Sequence, residues 1–237
     1  MEVAIIIPIY KENLSNSEIV SLKRVKDILG AFPIIFICNQ NFNAVNYLKI
    51  IPNAKFEYFK VSFFNSIEGY NKLMLSTNFY KRFFQYKFIL IYQLDAYIFE
   101  NELLFWCKKN YDYIGAPWVI SPPNIKEKPL IDMSKWFKYE VGNGGFSLRK
   151  VKSHYWNTII FYPLLKVFIK NEDMFWGVLI NWLNPFFKKP TFIEALKFAF
   201  EMKPKESYEI NKYQLPFGVH AWQKYDEIFW LDFIKLD

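Results

Sequence analysis

The first half of the chain alternates between short apolar runs and stretches with helical spacing. Val3–Pro8 is an apolar run rich in β-branched residues and predicts a first strand. After it, Ser15 and Glu18 form the pattern of a capping box, and apolar residues recur at helical spacing until Gly30. A helix is therefore predicted between Ser15 and Gly30.

The same alternation continues along the chain. Pro33–Cys38 and Phe56–Phe59 are predicted as strands, and the continuous apolar run Lys87–Leu94 as a buried parallel strand. Helices are predicted over Asn43–Ile50 and Ile67–Tyr80. Alternating β and α units of this length predict an α/β fold, with a parallel sheet covered by helices on both faces.

Ligands bind to such sheets beyond the carboxyl ends of the strands. This rule selects three candidate binding segments, namely Ile9–Asn13, Asn39–Asn41 and Gln93–Tyr97. The second half is less regular, and we predict that it completes the sheet and forms the acceptor side. Its predicted elements are a polar loop at Lys126–Trp136, aromatic-rich helices at Tyr155–Lys170 and Asp173–Leu183, and a helix at Thr191–Met202.

No domain boundary is evident, so a single domain over residues 1–237 is predicted, with two halves, 1–97 and 98–237; the family resemblance given below implies that the first is the nucleotide-binding half and the second the acceptor-side half. Hydrophobic residues make up 52% of the chain and charged residues 22%, as in ordered globular proteins. Aromatic residues make up 21%, which suits a core, a sugar site or a membrane interface.

The net charge of +7 favours anionic partners, such as nucleic acid, anionic lipid or phosphorylated small molecules. The Lys and Arg residues are scattered, which argues against a nucleic-acid-binding arm. Cys38 and Cys107 belong to no CxxC pattern, so reduced cytosolic thiols are expected. The run Val3–Ile9 is cut by Pro8 and lacks a preceding basic segment, so no signal peptide or membrane span is expected there.

Three acidic residues at two places in the chain, Asp95 and the pair Glu172-Asp173, are candidates for chemistry. Asp95 directly follows a buried strand, where a carboxylate could hold Mg²⁺ or Mn²⁺ against a diphosphate, or simply end the strand. Glu172 and Asp173 follow Asn171, a helix-capping residue type. Acids in a first helical turn are favoured by the helix dipole without any function, but one of them could also be a general base toward an acceptor hydroxyl.

The segment Val141–Arg149 contains three glycines in four positions. Glycines permit positive φ and close approach of a ligand to the backbone, although a tight turn before a strand gives the same pattern. The segment is neither GxGxxG nor a P-loop, and Arg149 beside it suits a sugar or phosphate pocket. Of the two histidines, His154 has no diagnostic neighbour, whereas His220 could complete a metal site with Asp95.

Together these segments resemble the DUF5672 domain family of bacterial and fungal proteins, which are similar to GT-A glycosyltransferases. The residues that carry the resemblance are Val3–Tyr10, Gly69–Leu73, Ile89–Asp95, Tyr111–Trp118, Gly142–Arg149, Glu172-Asp173 and Pro216–His220. Their common order along the chain makes the resemblance specific.

The resemblance implies a GT-A fold with a mixed, mainly parallel sheet, a nucleoside-diphosphate sugar as donor and a divalent cation, Mn²⁺ or Mg²⁺. Asp95 would be the last residue of a DxD motif whose first position is Gln93, and His220 the distal metal ligand. Asp173, in preference to Glu172, would be the base of an inverting reaction. Further donor-side residues implied by the resemblance are Ile9, Tyr10, Glu12, Asn71, Gly144, Gly145 and Arg149.

The expected function is transfer from a nucleotide sugar, with UDP as the expected nucleotide, to a saccharide or glycolipid acceptor in bacterial surface polysaccharide synthesis. A non-catalytic nucleotide- or carbohydrate-binding module is the alternative, supported by Gln93. Nucleic acid is not an expected partner. The aromatic stretches Trp156–Ile169 and Phe175–Phe187, with lysines nearby, would either bind the inner face of the cytoplasmic membrane or be core helices.

Overall fold

The computed structural model describes residues 1–119, 140–165 and 171–236. The strands among these residues are β1 (Val3–Pro8), β2 (Ile34–Asn39), β3 (Lys55–Phe59), β4 (Phe88–Tyr92), β5 (Tyr97–Ile98), β6 (Tyr113–Gly115), β7 (Phe146–Lys150), β8 (Ala199–Phe200) and β9 (Gly218–Val219). The predicted strands of the first half are confirmed, with small shifts at their ends.

The helices of the first half are α1 (Asn16–Leu29), α2 (Val45–Leu48), α3 (Ile67–Met74), α4 (Thr77–Arg82) and α5 (Leu103–Lys109), with a 3₁₀ turn at Val61–Phe63. The second half contributes α6 (Val151–Ile160), α7 (Tyr162–Leu165), α8 (Glu172–Met174, a π-helical turn Phe175–Leu179 and a last turn Ile180–Leu183), α9 (Phe192–Phe198), α10 (Pro204–Ile210) and α11 (Glu227–Leu231). The predicted loop at Lys126–Trp136 lies outside the described residues, as do residues 166–170 of the predicted helix Tyr155–Lys170.

The central sheet has six strands in the order β3-β2-β1-β4-β7-β6. Strands β1 to β4 run parallel, whereas β7 pairs antiparallel with both β4 and β6. Along β1, Val3, Ile5 and Ile7 belong to one apolar core, and Ala4 and Ile6 to a second core on the other face. Because both faces are buried, the strand is apolar throughout. The mixed, mainly parallel α/β fold with helices on both faces is confirmed.

Helix α1 begins as its sequence predicts. The Ser15 hydroxyl accepts a hydrogen bond from the Glu18 backbone N–H at 3.4 Å, and the Ser15 N–H donates to the Glu18 carboxylate at 2.8 Å. This reciprocal capping box satisfies two of the free N–H groups at the helix start. The helix ends at Leu29, directly before Gly30.

Two predicted helices end earlier than their apolar spacing suggests. The helix predicted over Ile67–Tyr80 is divided into α3 and α4, because the Tyr80 hydroxyl donates to the Met74 carbonyl at 2.7 Å where α3 ends. The helix predicted over Thr191–Met202 ends at Phe198, where the chain becomes extended and forms β8. Within the described ranges, no helix combines the length and apolar character needed to cross a bilayer.

A second sheet has three strands of two residues each, in the order β5-β9-β8. Strand β9 pairs antiparallel with β5 and parallel with β8. Because β5 runs opposite to its neighbours, the residues before β5 and those after β8 and β9 meet at the same edge. This sheet therefore gathers side chains from three distant parts of the sequence.

Candidate active site

A cavity of about 640 Å³ opens at the carboxyl edge of the central sheet, where β1 and β4 end side by side. Strand order reverses here, since β2 and β3 lie on one side of β1 and β4 on the other. Such a switch point is where α/β sheets bind ligands, and the volume lies within the usual range for small-molecule sites. Of the predicted segments, Ile9 and Tyr10 and the residues Gln93–Asp95 line it, whereas Asn39–Asn41 do not.

The small sheet assembles an acid–histidine cluster on one wall of this cavity. Asp95 lies two residues before β5, Glu201 follows β8 and His220 follows β9. These three positions meet at one edge because of the strand directions described above. The predicted neighbours Asp95 and His220 are thus brought together, and Glu201 joins them.

His220 lies at the centre of this cluster. Its Nε2 atom is 3.1 Å from Asp95 Oδ1 and 3.1 Å from Gln93 Oε1. On the other side of the ring, Nδ1 is 3.1 Å from Glu201 Oε1 and 2.9 Å from the Asn143 side-chain nitrogen. Burial lowers the pKa of His220, but the charges and hydrogen bonds of Asp95 and Glu201 outweigh it and raise the pKa to about 10. In return, His220 holds the pKa of Asp95 below its ordinary value, against the opposing effect of burial.

The distances between these atoms would suit a hard divalent cation if its binding displaced the proton of His220, since only the neutral ring is a ligand. Two adjacent ligands of an octahedral Mg²⁺ or Mn²⁺ are about 3 Å apart, since each lies about 2.1 Å from the ion. Beyond its 3.1 Å contact with His220 Nε2, Asp95 Oδ1 has no further polar partner in the part of the chain that the structure describes. No group of three His, Cys, Asp or Glu side chains is arranged as a metal site among the described residues, so Gln93 would supply the third ligand through its amide oxygen. Glu201 would then fix the ring orientation from behind.

A second cluster, the acid pair Glu172 and Asp173, begins helix α8. The Asn171 side chain caps this helix by accepting from the Asp173 N–H at 2.8 Å. Both acids line the cavity, and Glu172 Oε2 and Asp173 Oδ1 are buried without a hydrogen-bond partner among residues 1–119, 140–165 and 171–236. Burial, followed by the nearby charges of Glu172 and Glu201, raises the pKa of Asp173 well above its ordinary value.

Arg149 lies beneath the cavity instead of in its wall. Its guanidinium is fully buried and donates to Glu172 Oε1 at 3.0 Å, Ser147 Oγ at 2.9 Å, the Tyr80 hydroxyl at 3.1 Å and the Gly144 carbonyl at 3.1 Å. Arg149 does not line the cavity, and its guanidinium is bonded to four protein groups; its predicted contact with the donor stays a prediction. It contacts Glu172, whose side chain lines the cavity.

Most of the other predicted donor-side residues line the cavity, and a few do not. Those that line the cavity are Ile9, Tyr10, Asn71, Gln93, Asp95 and Gly145. Glu12 is exposed and lies outside the lining, and its predicted place near the nucleoside stays a prediction.

Gly144 and Gly145 do not have the positive φ that glycine would permit here, but they leave space for neighbouring side chains. Among the described residues no glycine has a positive φ. A Cβ atom on Gly144 would overlap Glu172 Oε1 and Asp173 Oδ1, and one on Gly145 would overlap His220 Nε2. The absence of side chains here lets the acid pair and His220 pack directly against the backbone that leads into β7. Gly145 lines the cavity and Gly144 lies behind the acids.

The sequence did not single out two cavity residues, Glu201 and Tyr70. Glu201 follows a two-residue strand, which has no periodic pattern to reveal it. Tyr70 adjoins Asn71 on α3, and its hydroxyl is buried without a hydrogen-bond partner in the described ranges. Burial raises its pKa above the ordinary value, as does the charge of Glu172. The Tyr70 hydroxyl therefore belongs to the same set of unsatisfied polar groups that surround the cavity.

Solved structures define the class of fold. Mouse xyloside xylosyltransferase 1 matches 92% of this chain over 96% of its own, at 12% identity and a TM-score of 0.56. The galactosyltransferase LgtC, solved with donor and acceptor sugar analogues, matches 93% of this chain over 86% of its own, at 14% identity and a TM-score of 0.53. The glycosyltransferase GlyE of Streptococcus pneumoniae matches 93% of this chain over 54% of its own, at 12% identity and a TM-score of 0.53. The fold is that of the GT-A glycosyltransferases.

The family of the chain follows from its sequence. The family model described as "Protein of unknown function (DUF5672)" matches residues 53–220. The protein belongs to this family. The match includes β4, both clusters and the glycine segment between them. No curated protein sequence matches the chain.

Proposed function

We propose that the protein is a glycosyltransferase that moves a sugar from a nucleoside-diphosphate sugar, with UDP as the expected nucleotide, onto an acceptor hydroxyl. One observation carries this proposal. A single cavity holds both the acid–histidine cluster around His220, which would bind a cation, and a separate acid, Asp173, whose buried Oδ1 has no hydrogen-bond partner among the described residues. Sugar transfer needs these two functions together, since it must stabilise a leaving diphosphate and accept a hydroxyl proton.

On the donor side, Ile9 and Tyr10 at the end of β1 would contact the nucleoside. Gln93, Asp95 and His220 would hold Mn²⁺ or Mg²⁺, which supplies positive charge to the diphosphate when it is bound. Lys224 also lines the cavity and places a further cation near these groups. The protein groups thus position the diphosphate and balance its charge as it leaves.

On the acceptor side, Asp173 is a better candidate for the base than Glu172. Glu172 is neutralised by the buried Arg149 guanidinium, whereas Asp173 Oδ1 has no hydrogen-bond partner in the described part of the chain. Once ionised, a carboxylate with a raised pKa is a stronger proton acceptor than an ordinary one, so the reaction would need Asp173 in its deprotonated form. Asp173 would remove the acceptor proton as the hydroxyl attacks the anomeric carbon, and the configuration would be inverted.

The acceptor class and cellular setting follow from the family resemblance. A saccharide or glycolipid of a bacterial surface polysaccharide or lipopolysaccharide would be the acceptor, and the reaction would take place in the cytoplasm. The proposed partners are therefore a nucleotide sugar and a glycan or glycolipid.

A panel of nucleotide sugars tests this proposal. The purified chain is incubated with each donor in the presence of Mn²⁺, Mg²⁺ or EDTA, and thermal shift and release of free nucleotide are measured. We expect one donor to stabilise the protein in a metal-dependent way and to be hydrolysed slowly. The absence of any shift at millimolar donor with metal present would contradict the proposal.

A non-catalytic binding module on the same scaffold is the second candidate, and Gln93 in place of an acid favours it. Such a module would bind a nucleotide sugar but would release no nucleotide, with or without acceptor glycans. For an active enzyme, NMR of the product would show an anomeric configuration opposite to that of the donor sugar. Retention of configuration would remove Asp173 as the base.

A further inference from the structure

An exposed apolar face lies on the second half of the molecule, outside the cavity. Helix α6 buries one side in the core and exposes Trp156, Ile159 and Ile160 on the other. We call the following set the outer face: Trp156, Ile159, Ile160, Leu164 and Phe186. Exposed fractions of 56% for Trp156, 68% for Leu164 and 85% for Phe186 are high for residues of this size.

Hydrogen bonds join the two segments that carry the outer face. The Asn184 side-chain nitrogen donates to Asn157 Oδ1 at 3.0 Å, which fixes the turn after α8 beside α6. The Phe186 N–H then donates to Asn184 Oδ1 at 3.1 Å. Phe186 is therefore held on a segment that adjoins the residue next to Trp156.

General aromatic richness does not explain this exposure. The predicted membrane stretch Phe175–Phe187 separates into two parts, because Phe175, Trp176 and Phe187 are buried in the core beneath the central sheet. Those three residues bear out the core interpretation of the stretch. Phe186 lies between a proline and a buried phenylalanine, yet it points to solvent. The outer face is thus limited to particular positions.

The surroundings of the outer face are basic. Residues 151–165 and 174–190 contain no Asp or Glu. Lys152 on α6 and Lys188 after Phe186 are exposed, and so is Lys81 on α4. Helix α4 packs on α6, where the Thr77 hydroxyl donates to Thr158 Oγ1 at 3.1 Å. The face therefore combines apolar area with a positive rim.

We propose that the outer face binds the surface of an anionic lipid bilayer. Trp at the boundary, aliphatic residues that enter the acyl region and lysines that contact lipid headgroups are the features of interfacial binding. A protein partner fits less well, because interfaces between proteins are depleted of lysine and enriched in arginine. Arg82 on α4, the helix that packs on α6, is paired with Glu57 at 3.0 Å.

Helix α8 links this face to the cavity. It starts with Glu172 and Asp173 in the cavity wall and ends at Leu183, three residues before Phe186. At 1.5 Å per residue, the helix separates the two sites by only about 15–20 Å. A lipid-linked acceptor would then reach Asp173 from the bilayer surface; this consequence rests on the proposed function, whereas membrane binding itself does not.

Co-sedimentation with vesicles tests the proposal without any donor or acceptor. The full chain is mixed with vesicles of phosphatidylglycerol and phosphatidylcholine, or of phosphatidylcholine alone. We expect binding to the anionic vesicles, weakened by salt. Trp156→Ser with Phe186→Ser should weaken it about tenfold or more, and Lys152→Gln with Lys188→Gln about fivefold per lysine.

Ile228→Ser is the matched control, because Ile228 is 80% exposed on α11, which packs with the small sheet instead of the outer face. It should bind vesicles as the wild type does. Failure of the wild type to bind anionic vesicles would overturn the proposal and would favour a protein partner. Equal losses in Ile228→Ser and the Trp156/Phe186 variant would also overturn it. Nucleotide release in solution, measured on the same variants, reports separately on the proposed enzyme activity.

Discussion

Two cation–carboxylate contacts of nearly equal length have opposite characters in this molecule. Arg149 and Glu172 are 3.0 Å apart, and His220 and Asp95 are 3.1 Å apart. The Arg149 guanidinium is fully buried and bonded to four protein groups, whereas the Asp95 side chain is 47% exposed. Beyond His220, Asp95 Oδ1 has no polar partner among the described residues. The two pairs therefore differ in their cations and in their exposure, and not in length: the Arg149 guanidinium is fully bonded to protein, whereas the Asp95 side chain borders the cavity and solvent.

Replacing Arg149, the fully bonded cation of the first pair, should have the largest effect on stability. Arg149→Met leaves the Glu172 carboxylate buried without its partner, which we expect to lower the free energy of unfolding by about 3–5 kcal/mol. Urea unfolding measures this loss. The double variant Arg149→Met/Glu172→Gln has no lone buried charge and should recover part of it. A loss below about 1 kcal/mol in the single variant would contradict the structural role of this pair.

Removal of the Asp95 carboxylate, which pairs with His220, should instead affect activity. Asp95→Asn should reduce donor turnover by about 10²–10³-fold, as losses of transition-state charge stabilisation do. The unfolding free energy should change by less than about 1 kcal/mol, because Asp95 is half-exposed. Glu57→Gln is a suitable control, since it removes another 3.0 Å ion pair, with Arg82, far from the cavity. Near-normal turnover of Asp95→Asn would remove Asp95 from the mechanism.

Unlike Glu172 and Asp95, the cavity acid Asp173 forms no ion pair in the described part of the chain. Its pKa is raised in the folded state, so between about pH 4 and that raised pKa the native state holds a proton that the unfolded state releases. Stability therefore falls as pH rises through this window. Asp173→Asn lacks this slope and should be more stable than the wild type, increasingly so at higher pH, while turnover falls about 10²-fold. Parallel thermal melts and rate profiles across pH measure both effects, and a less stable variant would contradict the assignment.

The smallest expected effect concerns a single hydroxyl group. Tyr70→Phe should reduce kcat/KM about tenfold if the buried hydroxyl bonds to the bound substrate, with little change in unfolding free energy. Tyr86→Phe is the matched control, because its hydroxyl is also buried and unpartnered within the described ranges but lies before β4, at the opposite edge of the sheet. Equal kinetic effects in both variants would show that Tyr70 contributes packing alone.

Much of the first half could be predicted from the sequence because its signals are local. The apolar run of β1, the capping box of α1 and the buried strand that ends before Asp95 each follow from neighbouring residues. The acid pair and His220 were also found as candidates, and the structure places them in the same cavity as Asp95. Their chemical roles stay predictions.

The remaining features depend on contacts between distant residues. Two-residue strands have no periodicity, so neither β8 nor the position of Glu201 could be predicted. Arg149 resembled a ligand-binding arginine because the sequence does not show that Glu172 and Tyr80 take up its donors. Gly144 and Gly145 were interpreted through backbone freedom, although the packing of side chains against them is what requires glycine.

The order of strands in the small sheet has a consequence for biosynthesis. Strand β9 lies between β5 and β8 although it is the last of the three to be translated. A nascent chain that has not yet exposed Gly218 therefore has the edges of β5 and β8 unpaired, and Asp95 and Glu201 have no histidine between them. The parallel sheet can form on the ribosome well before this point. The cavity wall around Asp95 can be completed only when His220 emerges, which is after all four parallel strands of the central sheet have been translated.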